Sequence, residues 1–379
     1  MTKLPFLPIA LLLCAGLACS RPQSGASSAL GADTADTTLY AKGFSIERYA
    51  DSTVVRVRNP WQGANDVEYA YTLVDSALRQ PGDVRHIGVP ARRVVCMSSS
   101  YVAFLDALGR SEAVVGVSGA NYIYSPAVRE RIQAGLVGDV GYGQALNYEL
   151  IVSLKPDVLL CFGVGAESLP IIEKLHGLGV PTMLVGEYLE EHPLGKAEWV
   201  KVLGALVGRD AQADSLFGGI EQRYQQVAQR VAQQQERPAV FMNMPYKDVW
   251  YSPGDASYFV QFIRDAGGRY LFADLEGSRS YPISFERAFG AGLQADVWLC
   301  PGTASSLADI ASFDPRLAQV RPYKNGRVFN NTNRSTPHGG SDFWESGTVR
   351  PDVVLHDLAA IFHPELFPEH GLFYFNELR

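Results

Sequence analysis

An α/β fold of two Rossmann-like lobes joined by a single long α-helix, with an N-terminal β-rich extension, is what three features of the sequence predict. From Arg92 onward, short continuous apolar runs alternate with helical patterns, as a parallel sheet covered on both faces requires. One amphipathic stretch, Ala211 to Gln235, runs for about 25 residues, roughly 37 Å as a helix. The third feature is an internal echo. Tyr148-Glu149 opens a helical segment that leads to Asp157-Val-Leu-Leu-Cys161, and Phe285-Glu286 opens one that leads to Asp296-Val-Trp-Leu-Cys300. Two matches with the same helix-then-strand logic indicate a pseudo-duplicated pair of lobes.

Composition bounds the function classes. Of 379 residues, 47% are hydrophobic and 19% charged, enough apolar material to offset the entropy of ordering. The 33 Lys and Arg against 40 Asp and Glu leave a net charge of −7, which argues against a nucleic-acid binder working through a basic surface. The one long apolar run is N-terminal, so a polytopic membrane protein is excluded.

In chain order, residues 1–18 have the layout of an export signal: Lys3 as the basic n-region, then the apolar Leu4 to Leu17. Gly16-Leu17-Ala18 before Cys19 resembles a bacterial lipobox, with Gly16 where the pattern prefers Leu. We read Cys19 as the lipidated first residue of a membrane-anchored protein, and residues 19–38, rich in Ser, Ala, Gly and Thr, as a flexible tether. Loss of Lys3 with the leader takes the net charge from −7 to −8. Cys96, Cys161 and Cys300 remain. They are odd in number, widely spaced, and each ends an apolar run, which points to small buried hydrophobes rather than a disulfide framework or metal site.

Residues 39–90 form the extension, with partly alternating strands at Ser45 to Tyr49, Thr53 to Arg58 and Glu68 to Val74. The first lobe, 91–209, has strands at Val94 to Met97, Ala113 to Val117, Val158 to Phe162 and Thr182 to Val185. Helices at Tyr101 to Leu108, Tyr148 to Leu154 and Pro170 to Leu178 are each closed by Gly or Pro. The joining helix, 210–237, repeats Phe217, Ile220, Tyr224, Val227 and Val231 along one face. The second lobe, 238–379, opens at Ala239 to Met242, continues with Val249 to Tyr251, Val297 to Cys300 and Gly326 to Phe329, and ends in a helix from Pro351 to Phe362.

With these parts in place the chain resembles the class III periplasmic binding proteins, the substrate-binding components of ABC importers for iron-siderophores, haem and cobalamin. The resemblance spans about Arg92 to Phe367. It rests on Val94 to Ser98 with Leu105 to Val117, on Asn147 to Asp157, on Ser257-Tyr258 through Asp265 to Gly268, and on Leu358 to Pro364. Residues 39–89 have no counterpart in the shorter family members. The resemblance implies an ABC permease dimer with its ATPase as partner, a monomeric binding protein on the periplasmic side of the cell envelope, and no cofactor, catalytic residue or resident metal. It places two permease-docking glutamates at Glu149 and Glu286, the pair that the internal echo also singles out. A lone glutamate at a helix start is ordinarily there for the helix dipole.

The ligand is expected between the lobes, in loops that follow strands. The candidate loops are Ser98 to Tyr101, Asn121 to Tyr124, Gly141 to Gln144, Tyr246 to Ser252 and Asn330 to Trp344. They supply Tyr101, Tyr122, Tyr124, Trp250, Tyr251, Arg334, His338 and Trp344, with stacking surfaces for a planar chelate and a guanidinium for its carboxylates or catecholates. Core packing is the competing role for each aromatic. Some haem-binding relatives ligate iron through a tyrosine directly before a proline, whereas here Ser125 separates Tyr124 from Pro126. The function expected is capture of an iron-siderophore-type chelate, with a corrinoid and then haem as alternatives. An enzyme acting on a metal chelate is the alternative of another class. No Gly-x-Ser-x-Gly elbow, phosphate-binding loop or His-Glu-x-x-His is present to support it.

Overall fold

The computed structural model describes residues 34–36, 38–80, 82–163, 165 and 169–379. The export signal, Cys19 and most of the tether lie outside them.

The first sheet belongs to the extension. Its strands are β1 (Thr34–Asp36), β2 (Phe44–Arg48), β3 (Ser52–Arg58), β4 (Glu68–Asp75) and β5 (His86–Val89), ordered β1-β2-β3-β4-β5, antiparallel except for the β4–β5 pair. Thr34–Asp36, assigned to the tether by composition, is thus an edge strand: the open edge of β2 offers its main chain the ladder partners that composition does not reveal. Alternation sets one face inward, with Phe44, Ile46, Val55, Val57 and Leu73 buried. The other face carries Glu47–Arg56 and Arg56–Glu68 ion pairs at 2.9 and 3.1 Å.

Polar contacts add to the apolar packing of Phe44 against Trp199 in fixing this sheet to the first lobe. The buried Glu198 carboxylate accepts the amides of Leu39, Tyr40 and Ala41 at 2.9–3.1 Å and meets Lys201 Nζ at 3.0 Å. Glu190 accepts the amides of Lys42 and Gly43 and the Trp199 indole N–H. Orphan N–H groups and buried carboxylates satisfy one another, so neither is left unpaired. Gly43 is required for this approach, since a Cβ there would lie 3.0 Å from both Trp199 and Glu190.

The first lobe holds β6 (Val94–Cys96), β7 (Val114–Val117), β8 (Gly138–Asp139), β9 (Val158–Cys161) and β10 (Thr182–Leu184) in the order β10-β9-β6-β7-β8, all parallel. β6 and β7 are buried throughout, which explains their unbroken apolar character. The second lobe holds β11 (Ala239–Met242), β13 (Arg269–Tyr270), β15 (Val297–Leu299), β16 (Val328–Asn330) and β17 (Asn376–Glu377) in the order β13-β11-β15-β16-β17, with only β17 antiparallel. The Val249 to Tyr251 run does not enter that sheet: β12 (Trp250–Pro253) pairs with β14 (Ser280–Ile283) as a separate ribbon.

The joining helix runs Asp210–Ala232, and Phe217, Ile220, Tyr224 and Val231 of its apolar stripe are buried. Its main partners are the helices Val200–Val207 and Pro351–Phe362. Burial of each such side chain stabilises by about 1.5–3 kcal/mol. Among the described residues no helix is long and apolar enough to cross a membrane.

Candidate functional site

In both parallel sheets the strand order reverses beside one central strand, β6 in the first lobe and β11 in the second. Crevices open outside the carboxyl ends of strands at such points. The segments that follow β6, β10, β11 and β15 converge here on two adjoining cavities of about 360 and 300 Å³, a size that suits a small-molecule ligand. Ser98–Ser100 and Glu187-Tyr188 come from the first lobe, and Met242-Asn243 and Cys300 from the second. Tyr188, Tyr258 and Trp344 line both cavities and join them into one cleft.

Trp344 stands 54% exposed beside the cavities, its edge held against buried Phe343 at 4.9 Å and 90°. A large, half-bare indole backed by a fixed aromatic cluster is a platform for a planar or apolar ligand. Deeper in the cleft lie two buried charges, Glu187 and Lys196. Lys196 Nζ donates to the Glu187 carbonyl at 3.3 Å and sits 4.6 Å from the Tyr258 ring centroid. Glu187 Oε1 accepts from Ser100 Oγ at 2.6 Å, while Oε2 has no partner among the described residues. Burial pushes the Glu187 carboxyl up and the Lys196 ammonium down, and each opposes the shift of the other. An ammonium with donors to spare beside an aromatic platform can hold an anionic or carbonyl oxygen in a water-poor setting.

The sequence-predicted residues fall in four places. Trp344 lines the cleft. Tyr101 and Trp250 are fully buried behind it: the Tyr101 hydroxyl donates to the Val185 carbonyl at 3.0 Å and Trp250 Nε1 to the Met242 carbonyl at 3.0 Å, so both rings are core. Tyr251, on the outer ribbon, and Tyr122 are exposed and line neither cavity, as is the loop histidine His338.

Tyr124 and Arg334 lie where the lobes touch. Glu345 accepts the amides of Tyr124 and Ser125, each at 2.7 Å, and Thr336 Oγ1 donates to the Asn121 carbonyl at 3.3 Å. A Cβ on Gly340 would approach the Tyr122 carbonyl to 2.2 Å, so only glycine lets the two chains come this close. The Arg334 guanidinium is engaged by Asp342 at 2.6 Å and lies over the Phe373 and Tyr124 rings. This pair of loops is therefore an interlobe seam, beside a separate cavity of about 270 Å³. Burial in it pushes the Glu345 carboxyl up to about 7, against the pull of its two amide donors.

Glu149 and Glu286 are both exposed and occupy the same helical position. Each is the second residue of its helix, Tyr148–Ser153 capped by Asn147 and Phe285–Gln294 capped by Ser284. Among the cysteines, Cys96 and Cys161 end strands, and burial raises their thiols. Cys300 follows β15 into the cleft wall. Among the described residues no three His, Cys, Asp or Glu side chains gather as a metal site would require.

Glu187, Tyr188, Lys196 and Tyr258 escaped the sequence reading. The signal for the first two was present. They sit directly after the Thr182 to Val185 run, at a strand end of the first lobe that, like the end of Val158 to Phe162, is not among the candidate loops.

A family model described as periplasmic binding protein matches residues 94–334. An uncharacterized lipoprotein of Methanocaldococcus jannaschii is 31% identical over 290 residues, 74% of this chain and 67% of that one. A cobalamin-binding protein of Halobacterium salinarum is 25% identical over 191 residues, 50% of this chain and 48% of its own. The crystal structure of a periplasmic heme binding protein from Pseudomonas aeruginosa superposes with a TM-score of 0.57 at 21% identity, covering 76% of this chain and 98% of that one.

Proposed function

The chain belongs to the class III periplasmic binding proteins, and on that premise we propose that it is the substrate-binding lipoprotein of an ABC importer. In this reading it captures an iron-siderophore-type chelate in the interlobe cleft and delivers it to the permease. The observation that carries the reading is the cleft itself: an exposed Trp344 and a buried Lys196 lining one cavity, at the carboxyl ends of strands from both lobes. A corrinoid is the second reading, favoured by the Halobacterium salinarum relative. Haem is the third chelate to be titrated.

The test is quenching of protein fluorescence by ferric hydroxamate and catecholate siderophores, cobalamin and haemin. Saturable quenching without change to the ligand supports a carrier. Turnover of the bound chelate would show an enzyme, and no binding to any of the four would sink the proposal.

Glu149 and Glu286 are proposed as the carboxylates that meet two equivalent basic pockets of a two-fold permease dimer, where rim charges set orientation and encounter rate more than affinity. Their exposure and matching helix position support this. The double variant Glu149→Ala, Glu286→Ala should abolish uptake in a reconstituted transporter while leaving ligand binding unchanged. Undiminished uptake would refute the assignment. Cys19 is proposed as the lipid anchor that holds the protein at the periplasmic side of the envelope, in keeping with the lipoprotein names of the relatives. Mass spectrometry of the mature N-terminus tests it.

A further inference from the structure

The N-terminal sheet reaches the cleft through one loop. The connection from β3 to β4 is closed by the Asn59 amide on the Val67 carbonyl at 2.8 Å and by the Val67 amide on Asn59 Oδ1 at 3.1 Å. Trp61 packs edge-on against Tyr69, ring centroids 6.2 Å apart. Gln62, next in the chain of this braced loop, lines the 300 Å³ cavity together with Tyr188 of the first lobe and Arg279 of the second. Tyr188 shares the cavity wall with Gln62, and its hydroxyl donates to the Gly163 carbonyl. Because Glu190 and Glu198 fasten the extension to the first lobe, the loop holds its place at the mouth.

On the same cavity, the Arg279 guanidinium lies over the Tyr281 ring at 5.7 Å and makes no ion pair among the described residues. Gln62 and a guanidinium without an ion pair on one cavity, with the Lys196 ammonium on the adjoining one, offer hydrogen-bond donors from three parts of the fold. We infer that the extension is a third wall of the ligand cleft, and that Gln62 with Arg279 selects chelates carrying an anionic oxygen arm, a carboxylate or a phosphate. The inference rests on the chelate reading of the cleft and adds the ligand class to it. A rim pair of this kind acts largely through solvent, so its contribution is modest and salt-dependent.

The experiment uses matched probes that differ in the anionic arm: cobalamin against cobinamide, haemin against its dimethyl ester, and ferric desferrioxamine B against its N-succinylated form. The wild-type protein is titrated with all three pairs at low and high salt. For the pair it binds, the anionic member should be favoured by about fivefold at low salt, and the preference should shrink at high salt. Arg279→Ala should erase it while leaving the other member within about twofold, and Gln62→Ala should reduce it. Replacing Pro60–Asp66 by Asn-Gly, a two-residue hairpin turn, should do the same, with melting confirming the fold. No preference in the wild type, or one that survives both point variants, overturns the third wall. Binding of none of the pairs instead removes the chelate reading, and this inference with it.

Discussion

On one side of the molecule the strand-end loops of the two lobes are locked to each other, and on the other they stand apart around the cleft. The seam joins residues 121–125 to 334–345, and the charged groups that hold it are spent internally, Glu345 on two amides and Arg334 on Asp342, with Ser125 Oγ on Asp106 at 3.1 Å, while Ser341 Oγ has no partner among the described residues. The cleft is built from the same kind of segment, yet it leaves a bare indole, a carboxylate oxygen without a partner and a guanidinium without an ion pair. Residue type does not separate the two regions, since each has aromatics, an arginine and a buried acid. Satisfaction does: a group already paired has nothing to offer a ligand, and one left unpaired at some free-energy cost awaits one.

Breaking the seam should have the largest effect. Glu345→Ala strands two amides between the lobes and should lower stability by about 3 kcal/mol in urea unfolding, with ligand affinity falling only as far as the lobes separate. A change under about 0.5 kcal/mol would show that the seam does not hold the lobes. On the cleft side, Trp344→Ala should weaken ligand binding by about 2 kcal/mol, roughly thirtyfold, at an unchanged melting temperature. If melting falls and affinity stays, Trp344 belongs to the seam's category instead.

The third effect is pH-dependent. The Glu345 carboxyl titrates near 7 in the folded protein against an ordinary carboxylate value when unfolded. Between those values the native state binds the extra proton, so its stability contribution is full at low pH and is lost as pH rises through about 7. The free energy of unfolding should therefore decline from pH 5 to pH 8 by on the order of 1–2 kcal/mol, and Glu345→Gln should flatten the decline. A stability that rises over that window in a Glu345-dependent way would contradict the burial argument. The smallest effect is expected at the loop tip. His338→Ala should leave affinity within about 0.3 kcal/mol, and a large loss there would move the binding site into the seam.

Much of this architecture was legible in local pattern. Fully apolar runs marked the parallel strands, the 3-4-3-4 spacing from Phe217 to Val231 marked the joining helix, and the echo around Glu149 and Glu286 marked two equivalent capped helix starts. Trp344 was legible as a cleft residue because it sits in a long loop after a strand. Tyr101 and Trp250 were misplaced by the same logic, because a ring near a strand end can turn into the core as readily as out of it. Which way it turns depends on a distant carbonyl, Val185 for one and Met242 for the other.

The sequence by itself determined what depends on neighbours along the chain: strand and helix periodicity, caps, the duplicated halves, the acidic balance and the family resemblance. The tertiary structure alone decided what depends on residues far apart. It put Gln62, Lys196, Arg279 and Trp344 around one cleft, turned the Tyr124 and Arg334 loops against each other, and fastened the extension with Glu190 and Glu198. Periodicity states which face of an element is buried. Only the packing of elements states whether a polar group on that face has already found its partner.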